Sequence, residues 1–360
     1  MGMREDIRLS LLIVSKKGYE GMDTVTQIVL GGAIAEAGFR KRLGKSSILF
    51  GAFCGWFPDI DIFFHSGGWE EMVAHRGLTH SLLFLPLIAP IMGEVAYRIS
   101  KQEDSRWYWT QLAFWALVTH PLLDWNTAYG TQLMYPLSNH RFALDSIGIV
   151  DLFYTVPLIM AMYYGLRTGY ERERSRRFAQ KALLGSSIYL LAAFVCTQIA
   201  MMRVQKELAT TGFVPVTMRC NPPPLFSPLR RVVAMNRAGD IAISIVHIFS
   251  VDIQIEQKKS EFLEEKEQLL LTEEGKIFDW YTDGILVVES HPDRVILRGV
   301  QYGLFTNIWS SPFAAQALRK DNGFEPLELL PRTEQMDMSS ELSVGFRKSL
   351  FLETSNSASK

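Results

Sequence analysis

Four short stretches gather imidazoles and carboxylates. They are "FPDIDIFF" with Asp59 and Asp61, "HRGLTHSL" with His75, Arg76, Thr79 and His80, "THPLLDW" with His120 and Asp124, and "NHRFALDSIGIVD" with His140, Arg141, Asp145 and Asp151. Imidazole nitrogens and carboxylate oxygens are ligands for a divalent metal, zinc above all, or manganese where oxygen dominates. His120 and Asp124 are four apart, a turn of about 40° that leaves both on one helix face as a half-site. Pro121 disfavours helical backbone at His120 and predicts a kink or a restart there. His75 and His80 are five apart, about 140° around a helix, so one regular helix does not aim both at one ion. Gly77 offers a break, and Thr79 could cap a helix beginning at His80. Asp59 and Asp61 share a face only if extended; if Pro58 opens a helix, one would ligate while the other caps or pairs. Each motif alone also fits a structural role: a hydrogen-bonded histidine, a helix-start acid pair, or an interfacial loop at His140 and Arg141.

The elements that carry these residues fall in an apolar half. The 360 residues are 48% hydrophobic and 21% charged with a net charge of −1, which suits neither a basic nucleic-acid binder nor a disordered acidic chain. Up to about Met202 the apolar residues come in long runs; from Arg203 onward charge returns at ordinary density. The fold class expected is an α-helical multi-pass membrane domain followed by a small β-rich soluble domain. Six spans are predicted at 24–39, 46–64, 80–99, 107–125, 147–166 and 182–202, against the roughly 20 apolar residues a bilayer requires; the first two are the weakest. Lys and Arg gather in the first, third and fifth connections, which places those in the cytoplasm and the second, fourth and C-terminal domain outside. Ionisable groups inside spans are costly, and the His/Asp stretches all border the second and fourth connections. On that topology they meet at one membrane face.

Domain limits are expected at 1–21, an over-called start or flexible N-terminus; 22–203, the membrane domain; 204–330, the β-rich domain; and 331–360, a flexible tail. The N-terminal "LSLLIV" is too short an apolar core for a signal peptide. Cys54, Cys196 and Cys220 form no CxxC pair and suggest no disulfide framework. In the second half "DIAISIVHIFS" alternates as a strand, "GILVVES" and "RVILRG" flank a turn at "HPD", and "SEFLEEKEQLLLTEEG" reads as one short acidic helix. His247 and His291 have no neighbour at ligand spacing. No Walker loop, GxGxxG turn or GxSxG elbow occurs, which argues against nucleotide use and serine-hydrolase chemistry.

"MDTVTQIVLGGAIAEAG", "GAFCGWFPDID", "HRGLTHSLL" and "THPLLDWNTAYGTQLMYPLSNHRFALDSIGIVD" together resemble the YdjM-type family of bacterial inner-membrane proteins, over about residues 22–165. The resemblance implies a membrane-bound metal-dependent hydrolase in the bacterial inner membrane. More remotely it implies similarity to zinc-dependent phospholipase C and P1-type nucleases. Its hallmark positions are Asp59, Asp61, His75, Arg76, Thr79, His80, His120 and Asp124. Many relatives place a histidine where this chain has Gln27, so the site has one ligand fewer or uses an amide oxygen.

The expected assignment follows. Asp59, His75, His80, His120 and Asp124 hold Zn²⁺ or Mn²⁺; Asp61 acts as general base or outer support; Arg76 holds a phosphate oxygen or anchors a headgroup. Thr79, His140, Asp145 and Asp151 form a supporting layer. Bound metal would lower the pKa of water toward neutrality for attack on an ester or phosphoester. A site at the bilayer surface suggests membrane lipid as partner and a lipid-linked substrate. The alternative is a non-catalytic inner-membrane structural or partner-binding protein whose polar cluster locks helices together.

Overall fold

The computed structural model of the chain describes residues 20–64, 67–102, 104–149, 151–167, 172–222, 228–303, 309 and 311–331. The expected N-terminal segment up to residue 19 and the expected tail beyond Pro331 lie outside them. A helical N-terminal region is followed by a β-sheet-rich C-terminal region. Two compact units result: Met1–Phe64, Arg76–Ala143 and Ile149–Leu191 form the first, and His65–His75, Leu144–Gly148 and Ala192–Lys360 the second.

The first unit is helical. Helix α1 spans Glu20–Ile34 and continues through a π turn to Phe39; α2 is Arg40–Leu43 and α3 Ser46–Trp56. Pro58 then opens a 3-10 helix over Phe57–Phe63, where a proline without an N–H is tolerated. After a 3-10 turn at Leu78–His80 come α5 (Leu85–Ser100) and α6 (Arg106–Asp124), with the short α4 (Gly68–Ala74) preceding them in the second unit. Helix α7 is Leu152–Arg167 and α8 the long Arg172–Thr210. The core of the unit is built from Leu43, Ile48, Trp109 and Leu112 and, beside them, Cys54, Leu85, Ala89 and Leu117. Helices α1 and α3 come together at glycines. A Cβ on Gly31 would stand 2.1 Å from the Gly51 carbonyl oxygen, and one on Gly55 2.4 Å from that of Gln27.

The expected spans are helical, but among the described residues only Glu173–Thr210 is by itself long and apolar enough to cross a membrane; a second is reached only by joining Gly68–His80 to Leu85–Ser100. The sequence runs overstate the helices. The run at 46–64 turns 3-10 after 11 helical residues, and α5 and α7 have 16 each, about 24 Å of rise against a hydrocarbon core of about 30 Å. Helix α5 begins at Leu85, with Pro86 in its first turn, and not at His80; α6 runs unbroken through Pro121. The N–H that Pro121 lacks would have bonded the Leu117 carbonyl, so the helix continues through the proline with that one bond missing.

The second unit packs the C-terminal turns of α8 against an antiparallel sheet in the order β1 (Pro215–Asn221), β2 (Leu229–Asn236), β3 (Ile241–His247), β4 (Ile255–Lys258). Ala200, Val204, Leu208 and Phe213 meet Cys220, Val232, Ala242 and Val246 there. The acidic stretch forms two helices, α9 (Leu263–Leu270) and α10 (Glu273–Tyr281), because the Thr272 hydroxyl caps a new start by accepting from Gly275 N. The second sheet runs β5 (Leu286–Ser290), β6 (Arg294–Gly299), β7 (Ala314–Lys320), β8 (Gly323–Phe324), with β9 (Glu328–Leu329) also on β7.

Candidate metal centre

Four side chains of the first unit converge. The 3-10 helix after α3 supplies Asp59, the Leu78–His80 turn supplies His80, and the last turn of α6 supplies His120 and Asp124, one above the other as their spacing predicts. All four are buried, His80 completely. His80 Nε2 and His120 Nε2 stand 3.1 Å apart. Asp59 Oδ1 is 3.4 Å from the first and 3.3 Å from the second; Asp124 Oδ2 is 3.3 and 3.5 Å from them. Asp59, His80 and His120 form a group that could hold a metal ion.

The protons of this cluster are spoken for at its periphery. His120 Nδ1 lies 2.6 Å from the Gly55 carbonyl oxygen, which only accepts, so Nδ1 carries the proton. The Thr79 hydroxyl donates to Asp61 Oδ2 at 2.9 Å, leaving its oxygen to accept from His80 Nδ1 at 3.0 Å. In their neutral form His80 and His120 therefore both turn Nε2 lone pairs inward. Two lone pairs cannot bond each other, and the Asp124 Oδ2 beside them is buried without a hydrogen-bond partner. A cation suits such a set. Nitrogen and oxygen ligands about 2.0–2.1 Å from a tetrahedral ion stand about 3.3 Å from one another, and the three separations among Asp59 Oδ1, His80 Nε2 and His120 Nε2 bracket that value.

The outward oxygens are held from α1. Thr24 Oγ1 donates to Asp59 Oδ2 at 3.0 Å, and Gln27 Nε2 donates to Asp124 Oδ1 at 2.8 Å and to the His120 carbonyl at 3.2 Å. The amide group of Gln27 thus meets Asp124 through its nitrogen, whereas its Oε1 is buried with no hydrogen-bond partner. Thr24 did not stand out in the sequence. A hydroxyl and an amide three apart on one helix face, just ahead of the apolar run Ile28–Leu30, are the signal that marks the pair.

The other sequence candidates take different places. Asp61 is buried behind His80, accepting from Thr79 and from Arg76 N, with His80 Nδ1 at 3.7 Å. Arg76 donates to Thr127 Oγ1 and has Nε 3.6 Å from Asp124 Oδ2; its φ of 61° is the left-handed region, where a branched chain is strained. The chain breaks at Arg76, one residue before the glycine expected to do so. His75 ends α4 in the second unit, with an extended ψ of 133°. His140 is exposed and stacks edge-on with Phe142. Asp151 caps α7 through Phe153 N and Tyr154 N and accepts from Tyr189 Oη. Asp145 belongs to the second unit, where it takes two bonds from Arg219 and one from Cys220 N. Cys54, Cys196 and Cys220 are free thiols.

A helical region thus brings two histidines and two aspartates from three segments into one buried cluster, three members of which form a group that could hold a metal ion. Through residues 22–200 the chain belongs to the YdjM inner membrane protein family, which supports a membrane location. It is 30% identical over 151 residues to the uncharacterized protein YfhP of Bacillus subtilis (strain 168), a match covering 39% of this chain and 45% of that one. The match thus spans less than half the length of this relative. No solved structure matches the chain.

Proposed function

We infer that the chain is a membrane-embedded, metal-dependent hydrolase acting on an ester or phosphoester. The observation that carries this reading is the inward pairing of two Nε2 lone pairs with Asp59 Oδ1 and Asp124 Oδ2, all buried, each imidazole locked by an acceptor behind it. Asp59, His80, His120 and Asp124 would hold the ion, and two nitrogens with two oxygens favour Zn²⁺ over Mn²⁺. When bound, the metal supplies a Lewis acid and an acidified water for attack on the ester. His75, in the second unit, is not needed for this set.

The chain's own residues divide the remaining work. Gly55 O, Thr79 and Asp61 orient the imidazoles; Thr24 and Gln27 hold the outer carboxylate oxygens. Asp61 is placed to stabilise His80, and Arg76 to offset the charge of Asp124. Multiple bilayer-facing helices are supported by apolar stripes on the outside of the first unit: Leu87, Ile91, Val95 and Ile99 on α5 are all more than half exposed, at the four-residue spacing of one helix face. A soluble domain would turn that face inward. Such surroundings favour a substrate carried on a membrane lipid.

Purified wild-type protein, assayed for zinc and manganese without chelators, is expected to hold one ion per chain, and His80→Ala and Asp124→Ala to lose it while remaining folded. Metal-free wild type that regains none on zinc addition would overturn the reading and leave a helix-locking cluster. Phospholipid and soluble phosphoester panels then separate lipid-linked from free substrates.

A further inference from the structure

The C-terminal turns of α8 and one turn of the first sheet share an unusual connection. Arg203 sends its guanidinium to the carbonyls of His247, Ile248, Ser250 and Val251, at 3.4, 3.3 and 3.2 Å for the first, second and last. Ser250 N closes the turn on His247 O at 3.0 Å, and Ile248 N is tied to Pro228 O at 2.9 Å. The turn that follows β3 is thus fixed, with four of its carbonyls satisfied by one cation. Its side chains are displayed outward: Val251 is 90% and Phe249 79% exposed.

Neighbouring α8 shows an apolar face of the same character. Val195, Ile199 and Met202, spaced by four and three, are exposed immediately before Arg203, while Ala200, Val204 and Leu208 on the opposite face pack on the sheet. Among the described residues that helix is the one by itself long and apolar enough to cross a membrane. We propose that the 248–251 turn seats the β-rich unit on the bilayer, Phe249 and Val251 entering the boundary between headgroups and acyl chains where α8 leaves it. The satisfied carbonyls are what select lipid as the occupant. A turn facing water has no need of a cation to fill its carbonyls, whereas one entering the apolar boundary must satisfy them from within the protein. An arginine at that level keeps its stem along apolar surface with its charge at the interface. The proposal rests on the membrane location and not on the metal centre.

The test uses the full chain in nanodiscs of phosphatidylethanolamine and phosphatidylglycerol. Phe249→Cys and Val251→Cys, each in a Cys196→Ala background that leaves only the buried Cys54 and Cys220, are labelled with a nitroxide. Asp321→Cys on the exposed β7–β8 turn serves as the aqueous reference. Collision rates with oxygen and with a nickel chelate are compared by power saturation. The oxygen-to-nickel ratio at 249 and 251 is expected several-fold above that at 321. Ratios equal to the reference overturn the proposal, and so does label immobilisation without a raised oxygen ratio, which would mean a protein partner on the turn.

Discussion

Replacing Gly31 by alanine should weaken the candidate metal centre without touching a candidate ligand. The new Cβ would stand 2.1 Å from Gly51 O and 2.9 Å from Gly51 C, backbone atoms that cannot rotate aside. Ordinary contact needs about 3.2 Å, so α1 and α3 must part by about 1 Å. Thr24 rides on α1 and Asp59 follows α3, and their 3.0 Å bond would stretch to about 4 Å, beyond hydrogen-bonding range. Overpacking of this kind costs about 1–3 kcal/mol, and loss of a bond that orients a ligand lowers metal affinity about 10–100-fold. The assay is zinc competition against a fluorescent chelator in detergent, together with a thermal scan. Two controls frame it: Gly38→Ala, whose Cβ meets nothing within 4 Å, and Gly32→Ala, whose Cβ meets only the flexible Met162 side chain. If Gly31→Ala matches Gly38→Ala in both affinity and melting, the helix crossing does not set the site and the reasoning fails.

Gln27→Leu should weaken zinc binding about 10–100-fold by freeing Asp124 Oδ1 and the His120 carbonyl, with helicity by circular dichroism unchanged; unaltered affinity counts against the role given to Gln27. Asp145→Asn removes the two-bond carboxylate from half-buried Arg219, which keeps Asp283, and should destabilise the second unit by about 1.5–3 kcal/mol in denaturant titration; a loss below about 0.5 kcal/mol contradicts this. Burial pushes the Cys220 thiol up to about 12, so at pH 8 maleimide should modify Cys196 well before Cys220, and the order should vanish on denaturation. Burial tends to raise the Glu289 carboxyl, but the Arg298 guanidinium bonded to it wins and holds it below its usual range. Its stabilisation is therefore present above the unfolded pKa of about 4.3 and fades as pH falls through the lower folded value; Glu289→Gln should flatten that acid limb of the stability profile.

The site was legible where its chemistry is local in the chain. The HxxxD spacing at 120–124 determines a shared helix face, and Pro58 determines that Asp59 and Asp61 leave a helix start on different sides. What the spacing could not reveal is backbone direction at single residues. Arg76 adopts the left-handed region that Gly77 was expected to fill, and the carbonyls of Gly55 and the outward oxygens of Asp59 and Asp124 find partners 35 to 97 residues away. Three strands were legible, β3 at Ile241–His247 from alternation and β5 and β6 from the turn at "HPD" between them, whereas β1, β2, β4 and the strands after β6 carried no such signal. Apolar composition also continues past the end of a helix into a 3-10 turn, as at Trp56–Phe57, so an apolar run does not by itself fix a span. Among the described residues, one helix passes on length and composition alone.

The bond between Gln27 and Asp124 joins residues 97 positions apart, and the candidate ligands Asp59, His80 and His120 lie between them. At translation rates of about 5–20 residues per second, about 5–20 seconds separate the synthesis of α1 from that of the last ligand. Through that interval Thr24 and Gln27 are already made with nothing to hold. On the proposed function an ion would find all four side chains only once the nascent chain has reached Asp124, and its capture would then timestamp the closing of the helical bundle.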